Sequence, residues 1–116
     1  MAVYVANIVV EQGYDFAATF ELADSLTDGP LNLVGYGITA QIRKNYTSST
    51  SVSFASTITD QANGKIKISL TDTQTSQLKS GRHVYDVAIQ YGGFSSNSDK
   101  LKVVEGTALV RPGVTR

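Results

Sequence analysis

Two antiparallel sheets packed face to face are what this sequence predicts, and three features predict them. Short segments alternate apolar and polar residues at period two. Turn signals recur roughly every 8–12 residues between them. One polar helical turn interrupts the strands, at "TDTQTSQLKSG", residues 71–81.

The elements follow in order. Val5 to Val10 form a first strand, ended by "EQG". Phe16, Ala18, Phe20 and Leu22 then alternate with polar partners, the pattern of a half-buried strand. "ADSLTDGP" is a loop with an Asp-Gly-Pro turn. Tyr36, Ile38, Ala40 and Ile42 mark the next strand, running to Arg43 and Lys44 before a mobile Ser/Thr-rich loop. Val52, Phe54 and Ile58 make a further β segment. "DQANG" turns the chain at Asn63-Gly64, and Ile66, Ile68 and Leu70 alternate back out. Thr71 with Gln74 three residues on fits a capping box. Residues 72–79 are therefore expected to be helical, held to the core by Leu78 and closed by Gly81 in a left-handed conformation. Tyr85, Val87, Ile89 and Tyr91 give an inward-facing stripe on the following strand. After the loop "GGFSSNSD", Leu101 to Val110 form the last strand, with a bulge expected at Gly106. About seven strands with a short helix before the penultimate one make an all-β, immunoglobulin-like antiparallel sandwich, a single domain over residues 1–116. Tyr85, near the start of its strand, resembles the tyrosine of a sandwich corner.

Composition narrows the function. Ten basic and ten acidic residues balance to zero, which gives no electrostatic drive toward nucleic acid or an anionic membrane and little repulsion between copies. There is no cysteine, so neither a disulfide nor a thiolate metal site can form, which fits folding in a reducing compartment. The apolar start "MAVYVANIVV" lacks a basic leader and a cleavage site, is too short to span a bilayer, and reads as a strand.

Chemistry is sparse. His83 is the single histidine, read as a surface or edge residue, and Asp86 falls on the opposite side of the strand from it. "DSLTDG", with Asp24 and Asp28, is a poor calcium loop: Leu26 and Gly35 stand where ligands belong. Asp15 and Asp86 read as exposed, the alternative being a bond to a backbone amide. No catalytic residue, metal or cofactor is expected, and the chain is read as not an enzyme. With no tryptophan and 9% aromatic residues, a carbohydrate-binding module is a distant alternative. The candidate residues are those of a protein interface. They lie on the outer strands, Tyr4, Val5 and Ile8 at one end and Leu101, Val103, Leu109 and Arg111 at the other, with Tyr14 and Tyr46 as exposed aromatic anchors.

Five segments, taken in order, carry a resemblance: "VEQGYDFAATFEL", "LNLVGYGITAQIRK", "NGKIKISLT", "TSQLKSGRHVYDVAIQ" and "VVEGTALVRPGVTR". The ordered set resembles small virion structural proteins of tailed, cyanophage-like bacteriophages. In particular it is similar to the immunoglobulin-like N-terminal domain of baseplate upper proteins and to tail-fibre attachment domains. That resemblance implies a docking module of tail, baseplate or fibre attachment, located in the virion after assembly in the host cytoplasm. Its partners would be other virion proteins or copies of itself, with no small-molecule substrate. A capsid decoration protein is the neighbouring alternative. The chain stops at Arg116 without a coiled coil or receptor domain, so host binding is not expected of it.

Overall fold

The computed structural model describes residues 4–23, 29–92 and 100–114. Among the described residues, nine strand segments form two sheets and one helix precedes the eighth. They are β1 (Tyr4–Val5), β2 (Ile8–Glu11), β3 (Phe16–Glu21), β4 (Tyr36–Arg43), β5 (Val52–Ser53), β6 (Ala55–Asp60), β7 (Lys65–Leu70), α1 (Asp72–Ser76), β8 (Gly81–Tyr91) and β9 (Lys100–Arg111). One sheet runs β1-β9-β8-β4-β5, with β2 also on β9, and the other runs β3-β7-β6. The core lies between them. Val10, Ile42, Val87, Ile89, Val104 and Val110 of the larger sheet pack against Ile66, Ile68 and Leu70 of the smaller.

The expected all-β sandwich with a short helix before the penultimate strand is present. Its pairing is antiparallel except at one edge, where β1 and β2 run parallel to β9, from Tyr4 beside Val104 to Glu11 beside Arg111. Alternation within one strand carries no information about the direction of its neighbour. The β5–β6 segment explains how one edge is closed. It leaves the larger sheet after Ser53 and joins the smaller at Ala55, while the Phe54 amide still bonds the Ala40 carbonyl at 3.0 Å.

The first strand is broken at Ala6-Asn7, and Gly106 is the reason. A Cβ at Gly106 would overlap the Ala6 carbonyl, so only glycine lets the two backbones approach there. The Ala6 carbonyl turns inward to accept from the Tyr85 hydroxyl at 2.5 Å, and the Asn7 side chain takes over the vacated Thr107 amide at 3.2 Å. Tyr85 thus reaches across to the first strand rather than back along its own corner. Its burial pushes the phenol pKa up to about 12. The bulge expected at Gly106 lies earlier, where Val87 pairs with Val104 but Ala88 pairs with Lys102. Val103 is the extra residue.

The helix begins as expected. Thr71 and Gln74 make the reciprocal capping box. It ends sooner, at Ser76, with Gln77 as its C-cap. Three-residue bonds from Gln77 to Gln74 (3.2 Å) and from Leu78 to Thr75 (3.2 Å) tighten the last turn. Gly81 is instead the first residue of β8, with φ of +120°. The β2–β3 turn holds this helix. Thr75, fully buried, accepts from the Gly13 amide at 3.1 Å and donates to the Tyr14 carbonyl at 2.8 Å. Gln12 donates to the Leu78 carbonyl, and Asp15 accepts from the Asp72 amide at 2.8 Å. Asp15 is thus the partner of a backbone amide, and Leu78 is buried as expected.

Candidate interaction surface

The outer face of the larger sheet is built by alternation. In a strand whose even positions Ala6, Ile8 and Val10 turn toward the core, odd positions turn outward. Val5 and Val9 are 76% and 50% exposed. Val9 pairs with Leu109, itself 45% exposed, and Leu109 pairs in turn with Arg82 of β8. Half-buried Val84 pairs with Thr107 on the same sheet. Beyond them Tyr46, 75% exposed, lines a shallow 250 Å³ cleft with Gln41, Arg43, Val84 and Asp86. Two exposed ion pairs flank the apolar residues, Glu11 with Arg111 at 3.5 Å and Asp86 with Lys102 at 3.7 Å.

The edge beside this face is also available. The Ala6 and Gln12 amides bond the Glu105 and Arg111 carbonyls of β9, each at 2.9 Å. In a parallel ladder the intervening residues Val5, Asn7, Val9 and Glu11 therefore direct their backbone groups away from β9. Among the described residues, β1 and β2 pair with β9 alone.

Several expected interface residues are relocated. Ile8 turns inward and packs on the core, one position out of phase with Val5. Val103 is 1% exposed, because the bulge places Val103 and Val104 both toward the interior. Leu101 is partly buried against the core. The last strand is not an edge: at Val104–Glu105 and again at Ala108–Val110 it is paired on both sides. Tyr4 is exposed at the start of β1, and Tyr14 is exposed on the β2–β3 turn. Val9 and Val84 join the surface. Val9 was legible as an odd-numbered partner of Val5.

Elsewhere, His83 is buried rather than superficial, at 4% exposure. Burial first, and the Lys44 charge second, lower its pKa below the usual imidazole value. Tyr91, expected inside, is 56% exposed and meets Tyr36 edge-on at a centroid distance of 5.3 Å and 77°. The calcium-loop residues Asp24 and Asp28 lie outside the described residues. Among the described residues no cluster of three His, Asp or Glu could hold a metal ion.

No protein family matches this sequence, and no curated protein does. Solved structures share the fold. The N-terminal domain of ORF48 of phage TP901-1 superposes with a TM-score of 0.55 at 12% identity, covering 96% of this chain and 99% of that one. An internalin-like protein of Listeria monocytogenes gives 0.50 at 16% identity over 94% of this chain, which spans 28% of that protein's chain. A chain from a study of T cell specificity and activation by the superantigen toxic shock syndrome toxin-1 gives 0.51 at 10% identity, covering 90% of this chain and 92% of that one. These likenesses establish a sandwich shared with a phage protein domain and with others.

Proposed function

We propose that this chain is a non-enzymatic structural subunit of a phage particle, a docking module of tail, baseplate or fibre attachment. It works through the β1/β2 edge and the adjoining outer face. The observation that carries this reading is the coincidence of a strand edge unpaired among the described residues with an exposed apolar cross-strand pair, Val9 and Leu109. Strand edges recruit strands, and an apolar face beside one gives the recruited strand something to pack on. The end-to-end likeness to a phage N-terminal domain supports the setting. The carbohydrate-binding alternative gains no support, since the described aromatic pairs are tilted or edge-on rather than coplanar.

Immunogold labelling of intact particles with antibody against this chain tests the proposal. Gold at the tail end or fibres is the expected result. Gold over the head would move the chain to capsid decoration. Its absence from particles, by label and by mass spectrometry, would overturn the virion reading. Within the particle, Val9→Lys places a charge on the docking face while leaving the core intact, and is expected to lower incorporation.

A further inference from the structure

Next to that face, with Arg43 common to both, the loop after β4 and the segment between α1 and β8 enclose a cleft of about 360 Å³. Arg43, Lys44 and Lys79 line it, and no carboxylate does. None of these three cations has an ion-pair partner among the described residues. Arg43 bonds the Ser48 carbonyl and the Gln41 side-chain oxygen, and Lys44 bonds the Arg82 carbonyl, all neutral acceptors that leave the charges standing. In a chain whose formal charges cancel, this local excess is a matter of placement. Thr50 and Ser51 add two hydroxyls to the same lining.

His83 is the second, independent observation. Its Nε2 lies 2.7 Å from the Lys79 carbonyl oxygen, which only accepts, so Nε2 carries a proton. Its Nδ1 is buried and has no hydrogen-bond partner. Buried polar atoms in folded proteins are nearly always paired, so Nδ1 has capacity for one further partner, and once protonated the partner it can donate to is an anion.

We propose that this cleft binds an oxyanion, a carboxylate or a sulfate- or phosphate-type group, held by Lys44 and Lys79 with the Thr50 and Ser51 hydroxyls and the imidazolium of His83. Neutral Nδ1 presents a lone pair to the anion; protonated, it donates. Anion binding and His83 protonation are therefore mutually reinforcing. The charged residues that share the cleft lining with His83 are Arg43 and Lys44 at the end of β4 and Lys79 ahead of β8, and of these the Lys44 charge acts on the imidazole. Its β9 partner, Ala108, is uncharged. An anion here would offset the Lys44 charge that disfavours the imidazolium. The source is either a free inorganic ion or an acidic side chain presented by a partner protein.

NMR titration of the full chain tests this, with the single histidine as its own reporter. Sodium sulfate, doubly charged across pH 5–8, is added at constant ionic strength against chloride. N-acetylglutamate amide, which carries one carboxylate, is added in a parallel series. Sulfate is expected to raise the apparent His83 pKa, with binding up to about tenfold tighter for each unit of that rise. Lys44→Met and Lys79→Met are expected to shrink the shift, and Lys67→Met on β7 to leave it unchanged. A response to the glutamate compound supports an acidic partner side chain, and a response to sulfate alone supports a free ion. The proposal is overturned if neither ligand moves the imidazole signals beyond chloride, or if the response is undiminished in the Lys44→Met/Lys79→Met double variant. The titration does not depend on where, or whether, the chain sits in a particle.

Discussion

At the scale of the residue, two buried polar side chains mark opposite uses of burial. Thr75 is fully satisfied, and its hydroxyl serves both the Gly13 amide and the Tyr14 carbonyl. Thr75→Val keeps the shape and strands both backbone groups, so it is expected to cost about 1–3 kcal/mol in urea unfolding. Thr75→Ser keeps the hydroxyl and should cost less. His83 is the half-satisfied case. Its folded pKa is depressed, so the unfolded chain takes up the proton first as pH falls. Stability should therefore be flat above the unfolded value of about 6.5 and decline below it, by at most about 1.4 kcal/mol per pH unit. The decline stops once the folded pKa is passed. Thermal or urea melts between pH 5 and 7.5, in buffers free of oxyanions, read this directly. His83→Gln should flatten the profile in that window, where ordinary carboxylates remain ionised.

At the scale of the element, local signals were legible in the sequence and non-local ones were not. Thr71 and Gln74 are three residues apart, so the capping box could be read without knowledge of the fold. So could the alternating faces of β3, β4 and β7. The helix C-terminus could not, because Leu78 and Gln12 close it through tertiary contact before Gly81 is reached. The bulge at Val103 shifts the phase of β9, so Leu101 and Val103 fall inside while Leu109, an even number of residues further on, falls outside. The interface residues on β1 and β2 were half legible: Val5 and Ile8 cannot share a face, and only their neighbours across the sheet decide which is inside. Gly106 also has a meaning that appears only in three dimensions. Gly106→Ala would push Ala6 away from β9 and release the Tyr85 hydroxyl, at a cost of about 1–3 kcal/mol. Faster hydrogen exchange at the Ala6 amide, measured by NMR, would locate the damage in the β1–β2 ladder.

At the scale of the whole molecule, the decisive contact joins positions about one hundred residues apart, as Asn7 and Thr107 do. Closing so long a loop is entropically slow, which suits late docking of β1 and β2 onto a sandwich already formed by β3 to β9. Gly106→Ala should then speed unfolding more than it slows refolding in stopped-flow experiments. An equal split between the two rates, or slower refolding alone, would place this pairing in the folding nucleus instead.

The parallel run of β1 and β2 along β9 also decides how the molecule answers to tension. Tyr4 lies beside Val104 and Glu11 beside Arg111, so Tyr4 and Arg111 sit at opposite ends of the shared ladder. A pull between those two residues loads every hydrogen bond of the ladder at once, in shear. A pull between Tyr4 and Lys102 starts at a single end and unzips the bonds one after another. In single-molecule stretching the first geometry should break at the higher force. A subunit strung between a moving fibre and a fixed platform would gain a mechanical clamp from the direction of one short strand.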